Sequence, residues 1–260
     1  MIELKNICFK RGKKKILNEI SFILKPGEIG GVIGESGAGK TSLLNIIAGL
    51  ESPSEGQILS QNKDITNLAP HLRDMGLVFQ EWALFPNMTL AQNIGFGIKD
   101  WAKKKAHERI HECAKRLGIF DLLSRYPSQL SGGEQQRAAI ARSLAPKPRV
   151  LLLDEPFACV DPKNREGFSQ YIQEIARQES VIVLMVSHNI PETMALCDQM
   201  GVLSEGKLLQ WAPPQTIYQF PTNPTIAELL GPAYFIPIHQ LDPDTEMSNK
   251  VVLIRPENIQ

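Results

Sequence analysis

The sequence predicts an α/β fold whose core is a mainly parallel sheet flanked by helices, because three observations agree. Short apolar runs at 150–153 and 181–186 have the length and branching of buried strands. An amphipathic helical pattern around 164–178 separates them, and strand–helix–strand order indicates parallel pairing. Near the N terminus, apolar residues alternate in "IELKNICF" and "ILNEISFIL", which predicts an antiparallel pair of strands.

The remaining elements are expected in the following order along the chain. The segment "GEIGGVIGESGAGKTSLLNIIAGL" predicts a buried strand, a glycine loop and a helix, and "MGLVFQ" at 75–80 predicts another short strand. Helical patterns from about 88 to 145 predict a helical subdomain inserted into the core. From 211 onward proline recurs, and we expect an extended appendage there.

Composition excludes several classes of function. Lys plus Arg and Asp plus Glu are 28 each, and this neutral balance argues against nucleic acid as a partner. The four cysteines contain no Cys-x-x-Cys pair, so no structural zinc is expected. No signal peptide and no bilayer-length apolar run is found, which predicts a cytoplasmic protein whose membrane role comes through a partner.

The segment "GESGAGKT" at 34–41 matches the phosphate loop G-x-x-x-x-G-K-[ST] and predicts a P-loop NTPase core. Its glycines let backbone N–H groups face the β-phosphate. Lys40 is expected to reach the β- and γ-phosphates and Thr41 to offer its hydroxyl to Mg²⁺. The predicted nucleotide contacts of this loop are Gly34, Glu35, Ser36, Gly37, Ala38, Gly39, Lys40, Thr41 and Ser42.

Two acidic residues follow the apolar run in "VLLLDEP". Asp154 is expected at the carboxyl end of a buried strand, where ligands bind in open α/β sheets, and there it would complete the magnesium site. Glu155 is the candidate general base that polarises an attacking water.

A second glycine-rich segment, "LSGGEQQR" at 130–137, allows two interpretations. Ser131 and Glu134 fit a capping box that begins a helix. Two consecutive glycines are unnecessary for a cap, and they favour close approach of a phosphate. Since this segment has no lysine of its own, we hypothesise that two copies pack head to tail. Ser131, Gly132 and Gly133 of one copy would then face the γ-phosphate bound by the other.

Phosphate loop, "LSGGEQQR" and "LLLDEP", in that order, resemble the nucleotide-binding subunit of an ABC transporter over residues 1–230. The segment around Gln80, "VFQEWALFPNMTLAQNI", resembles the corresponding segment of importers of the polyamine, ferric iron, sulfate, molybdate and sugar groups. The resemblance implies that Gln80 touches Mg²⁺ and water, and that His188 contacts the γ-phosphate. It also implies that Asp161 and Glu134 act across the dimer, and Glu134 lies in "LSGGEQQR", which is the signature segment of the family.

The resemblance further implies ATP and Mg²⁺ as cofactors and hydrolysis that drives solute import. The implied partners are a second copy or a similar ATPase subunit, transmembrane permease subunits and, indirectly, a solute-binding protein. The implied location is peripheral, at the cytoplasmic face of the membrane. A soluble ABC-type ATPase without transport is the alternative. A non-catalytic nucleotide-sensing module would be indicated by loss of Lys40, Glu155 or His188, and all three are present.

Two of the departures from the family pattern concern the adenine contact and the C-terminal extension. Arg11 precedes Gly12 where the family carries an aromatic residue that stacks on adenine, so either Arg11 or Phe9 is the candidate contact. Residues 231–260, with "VVLIRPENI", resemble the start of a regulatory β-barrel, and about thirty residues are too few to close one.

Overall fold

The computed structural model describes residues 1–158, 160, 165–237 and 251–254. They belong to two compact units, Met1–Pro214 and Gln215–Gln260. The boundary that the sequence predicts near residue 230 stays a prediction. Among the described residues, no helix combines the length and the apolar character needed to cross a bilayer.

The core of the first unit is a six-stranded sheet in the order β10-β9-β3-β8-β7-β6. All neighbours pair in parallel except β9 and β10. This sheet confirms the predicted α/β core. Its strands are β3 (Ile29–Ile33), β6 (Met75–Val78), β7 (Val150–Asp154), β8 (Ile182–Ser187), β9 (Gln199–Ser204) and β10 (Lys207–Ala212).

A second sheet is antiparallel and has the order β2-β1-β4-β5. It confirms the predicted antiparallel β subdomain. The register of β1 against β2 shifts around Phe9, and the consecutive residues Ile7, Cys8 and Phe9 are all buried. Its strands are β1 (Ile2–Arg11), β2 (Lys14–Leu24), β4 (Glu55–Ser60) and β5 (Lys63–Asp64).

The helices of the first unit lie between the strands of the parallel core. Three of them, α2, α3 and α4, form a segment inserted between β6 and β7, where the sequence predicts a helical subdomain. The helices up to β9 are α1 (Lys40–Ala48), α2 (Leu90–Gly95), α3 (Lys103–Arg116), α4 (Gly132–Leu144), α5 (Arg165–Glu179) and α6 (Ile190–Leu196).

Apolar side chains fill both faces of the parallel sheet. Leu151 and Leu153 of β7 belong to a cluster that includes the inserted helices and α5. Val150 and Leu152 point to the opposite cluster, which includes α1 and the antiparallel sheet. A strand covered on both faces must be apolar at every position, which explains the unbroken run at 150–153.

The recurrent proline from 211 onward predicts an extended chain, and the described residues contradict this expectation in two segments. Helices α7 (Pro214–Gln219) and α8 (Pro224–Leu229) occur there, and a strand pair, β11 (Tyr234–Pro237) with β12 (Val251–Ile254), follows. Each helix begins with a proline, and the fixed φ of proline suits the first helical position. Recurrent proline therefore starts helices here instead of preventing them.

Candidate active site

The phosphate loop joins β3 to α1 at the carboxyl end of the parallel sheet. Gly39 precedes the helix with φ of 106°, a left-handed conformation that glycine adopts without strain. A Cβ on Gly34 would lie 2.1 Å from the carbonyl oxygen of Leu203, so only glycine fits against β9. The first turn of α1 contains no acidic residue, which leaves its N-terminal N–H groups and its dipole available to an anion.

Lys40 folds over this loop. Its Nζ donates to the carbonyl oxygens of Gly34, at 2.8 Å, and Glu35, at 3.0 Å. The side chain is largely buried, and no carboxylate of the described residues forms an ion pair with its ammonium, which these two carbonyl groups hold at the loop. A cation held in this way is ready to meet the phosphates of a nucleotide that enters the loop.

Asp154 is buried at the end of β7 and accepts a hydrogen bond from the Thr41 hydroxyl. Burial raises the pKa of Asp154, and the neighbouring Glu155 carboxylate raises it further, while the Thr41 hydrogen bond and Lys40 lower it. A carboxylate that loses hydration in this way gains from a bound cation. The Asp154 carboxylate and the Thr41 hydroxyl are oxygen donors of the kind that Mg²⁺ prefers.

Glu155 has a left-handed backbone conformation, with φ of 49°, directly after the strand ends. Its Oε2 lies 2.8 Å from His188 Nδ1 and accepts a hydrogen bond from the His188 backbone N–H at 3.2 Å. The His188 ring remains 69% exposed and the Glu155 side chain 12%. A carboxylate oriented by a histidine at the end of a neighbouring strand has the geometry of a general base with its orienting group.

One cavity of about 420 Å³ collects these groups. It brings together the three candidate catalytic side chains, most of the phosphate loop and the predicted magnesium ligands Gln80 and Asp154. The predicted loop contacts that do not line it are Gly34, Glu35 and Ala38. Its lining residues are Arg11, Ile16, Ser36, Gly37, Gly39, Lys40, Thr41, Ser42, Gln80, Asp154, Glu155 and His188. Sequence reasoning missed Ile16, which is partly buried in β2 and gives no motif signal.

Of the two candidates for adenine stacking, Arg11 lines the cavity and Phe9 does not. Phe9 is 8% exposed and belongs to the core, whereas Arg11 lines the cavity. The Arg11 guanidinium lies 5.9 Å from the centre of the Phe9 ring and forms an ion pair with Glu51. Arg11 therefore presents a planar cation towards the cavity, and Phe9 supports it from the core side.

The segment "LSGGEQ" begins α4, and the capping box is formed. Ser131 Oγ accepts from the backbone N–H of Glu134 at 3.4 Å, and Glu134 Oε2 accepts from the backbone N–H of Ser131 at 2.7 Å. Ser131, Gly132, Gly133 and Glu134 do not line the 420 Å³ cavity, so the structure does not bring them to the phosphate loop of the same chain. Asp161 lies outside the described residues.

Comparison with known proteins identifies the family. Residues 17–158, more than half of the chain, match the ABC transporter family. The chain belongs to the ABC transporter family. Its fold, with a parallel core, an antiparallel β subdomain and inserted helices, is that of the ABC ATPases.

Named relatives of this family cover most of the chain. The sulfate/thiosulfate import ATP-binding protein CysA 2 of Chromobacterium violaceum is 39% identical over 89% of the chain and 63% of its own length. The Fe(3+) ions import ATP-binding protein FbpC of Photorhabdus laumondii is 37% identical over 91% of the chain and 68% of its own length. The chain thus spans about two thirds of each of these ABC proteins.

A solved ABC structure has the same fold. It is the dimeric post-hydrolysis state of the ATP-binding cassette MJ0796 bound to ADP and Pi, with a TM-score of 0.75 and 29% identity. The alignment covers 82% of this chain and 99% of that one.

Proposed function

We propose that this ABC cassette hydrolyses ATP as a dimer with two ATP molecules at its interface, and that it drives solute import through transmembrane partner subunits. One observation carries the proposal. A single cavity joins the phosphate loop, with Lys40 and Thr41, to the Glu155–His188 pair and to Gln80. Family membership supports it, since the relatives are named as import ATP-binding proteins.

The phosphates occupy the start of α1 in this proposal. Backbone N–H groups of 34–42 and the ammonium of Lys40 bind the β- and γ-phosphates, because a helix N-terminus and a fixed cation both favour negative charge. The adenine ring stacks on Arg11, with Ile16 as an apolar neighbour in the same cavity.

Magnesium fits the donor set of this cavity. Thr41, Gln80 and Asp154 would hold it through a hydroxyl, an amide and a carboxylate oxygen, and the burial that raises the pKa of Asp154 leaves its carboxylate poorly hydrated. When bound, Mg²⁺ neutralises phosphate charge that develops during transfer. Removal of the metal with EDTA should abolish phosphate release.

Glu155 is the proposed base. It takes a proton from the attacking water, while the His188 ring and backbone N–H hold its carboxylate in one orientation. The exposed side of His188 is free to turn towards the γ-phosphate, as the family resemblance implies.

The γ-phosphate site is completed by a second copy. Gly132 and Gly133 begin α4, and their N–H groups have no acceptor among the described residues. These groups and Ser131 lie outside the nucleotide cavity of their own chain, so they can reach a phosphate only on another chain. Asp161 is proposed to act across the same interface.

The proposed import function and its partners are inferred from the names of the relatives. The names of two similar relatives specify different cargo, sulfate or thiosulfate in one case and Fe(3+) in the other. Cargo choice therefore lies outside the cassette, in the permease and in a solute-binding protein. The proposed location is the cytoplasmic face of the membrane.

The substitution Glu155→Gln tests the base. Hydrolysis should fall by about 10²–10⁴-fold while ATP binding persists, because the carboxamide keeps the shape and cannot take a proton. The exposed residue Glu108 provides a matched control, since Glu108→Gln should leave turnover unchanged. Retained turnover in Glu155→Gln would exclude Glu155 as the base.

The same variant tests the dimer. With ATP and Mg²⁺, light scattering of Glu155→Gln should give twice the mass of one chain, since hydrolysis no longer separates the copies. The single-chain mass at high protein concentration would contradict the proposed interface.

A further inference from the structure

The turn that follows Gln80 is strained. Trp82 and Ala83 are consecutive non-glycine residues with positive φ, 58° and 46°. Left-handed backbone is unfavourable for residues with a Cβ, and it persists only where surrounding contacts impose it. Two short-range hydrogen bonds lie inside the turn, from Trp82 N–H to Phe79 O at 2.9 Å and from Ala83 N–H to Glu81 O at 2.6 Å.

One guanidinium holds both carbonyl groups of this turn. Arg142 of α4 donates from Nη1 to Ala83 O at 2.6 Å and from Nη2 to Trp82 O at 3.0 Å. Its guanidinium carbon also lies 5.3 Å from the centre of the Phe85 ring. The planar fork of arginine donates to two adjacent carbonyl oxygens from two separate nitrogens, and an apolar side chain can donate to neither.

The next residue of α4 holds the strand before Gln80. Ser143 Oγ donates to Leu77 O, in β6, at 3.0 Å. Two consecutive residues of one helix thus fix the backbone three residues before Gln80 and two to three residues after it. Gln80 itself is exposed and lines the nucleotide cavity.

The partial burial of Arg142 is by itself unfavourable for the stability of the fold. Partial burial lowers the pKa of its guanidinium, and no acidic side chain among the described residues forms an ion pair with it. A buried charge without a counter-ion costs hydration, and an apolar residue could pack on Phe85 without that cost. What an apolar residue could not supply is the grip on two carbonyl groups.

Ser131 and Arg142 lie on the same helix, eleven residues apart, which corresponds to about 16 Å along the axis. We propose that Arg142, assisted by Ser143, is a positioning residue that ties the Gln80 loop to the signature helix α4, so that Gln80 and Ser131 move together. The inference rests on the proposed ATPase function. It assigns a role in turnover to a residue that touches neither nucleotide nor metal.

The experiment is a double-mutant cycle in the full-length chain with Arg142→Met and Gln80→Ala. Arg142→Met should lower kcat for ATP about tenfold with KM unchanged, because misplacement of one positioning group affects the reacting geometry and not the phosphate loop. In the Gln80→Ala background the same substitution should change kcat less than about twofold. Arg142→Lys should be intermediate, and Arg149→Met, at an exposed arginine, is the control.

A second measurement is independent of activity. Amide hydrogen exchange at Trp82 and Ala83 should be at least about tenfold faster in Arg142→Met, whereas exchange in β7 should not change. If Arg142→Met does not fold, Ser143→Ala takes its place, and it should show the same pattern of exchange with a smaller effect. Equal kcat losses in both backgrounds, or unchanged exchange in the turn, would overturn the proposal. A wild-type chain without ATPase activity would refute the function instead, and hydrogen exchange would still decide the role of Arg142.

Discussion

The two glycine-rich loops of this cassette each precede a helix, of nine residues for α1 and thirteen for α4, and they differ in chemistry. The loop at 34–39, before α1, carries a cation on its own backbone carbonyls and lines a cavity of about 420 Å³. The loop before α4 carries no cation, and its serine and glutamate are satisfied by each other. The first loop can bind an anion, while the second forms a helix cap in which the N–H groups of Gly132 and Gly133 have no acceptor among the described residues.

The carboxylates beside the two loops show the same difference. Burial raises the pKa of Asp154, next to the first loop. Hydrogen bonds from the Ser131 backbone N–H and hydroxyl lower the pKa of Glu134, at the second. Substitution of Asp154 should therefore raise the stability of the fold, and substitution of Ser131 should lower it. Of the two loops, the first is adjacent to a group that favours ligand binding at a cost in stability.

The largest expected effect is at the first loop. Lys40→Ala should weaken ATP binding by about 100-fold or more, because it removes the cation that meets the phosphates. Isothermal titration with ATP and Mg²⁺ measures this, with the exposed turn residue Lys13→Ala as the control. Equal affinities for the two variants would mean that the first loop does not hold the phosphates.

An intermediate effect is expected at the second loop. Ser131→Ala should leave ATP affinity of the single chain unchanged and lower hydrolysis about tenfold or more at dimer-forming concentrations, as expected when one donor to a developing negative charge is lost. It should also lower the free energy of unfolding by about 1 kcal/mol through loss of the cap. Denaturant unfolding and phosphate release separate the two consequences, and a loss of ATP affinity would contradict the assignment in trans.

The smallest expected effect is a gain in thermal stability. Asp154→Asn should raise the melting temperature of the nucleotide-free chain by about 2–4 °C at pH 7.5, because it removes a buried charge. The folded-state pKa of Asp154 lies above its unfolded value, so the penalty exists above the folded pKa and disappears as pH falls through it. Thermal unfolding at pH 7.5 and 4.5 measures this, and a gain that grows at the lower pH would contradict it.

The sequence predicted those features that depend on local residues. The strand, phosphate loop and helix at 29–48 form one contiguous pattern, and the capping box at Ser131 needs only two side chains three positions apart. The ABC fold followed from these motifs and is confirmed. Assignment of individual site residues stays a prediction, although the structure places six of the nine predicted residues of the first loop in one cavity.

The remaining features depend on contacts that leave no sequence signal. The alternation of apolar residues could not predict whether Phe9 is buried, because three successive residues of β1 are buried where its register against β2 shifts. Arg142 contacts carbonyl groups 59 and 60 positions away, and any residue type can present a carbonyl. Recurrent proline predicts an extended chain, whereas Pro214 and Pro224 each occupy the first position of a helix, and the sequence does not distinguish the two roles.

The most direct test of the composite site mixes two inactive variants, Lys40→Ala and Ser131→Arg. In a mixed dimer, one site combines the intact Lys40 of one copy with the intact Ser131 of the other. We predict that phosphate release, nearly absent for each variant alone, returns on mixing and rises with the fraction of mixed dimers. If mixed dimers form and phosphate release stays at the level of the separate variants, the ATP site is not shared between two copies.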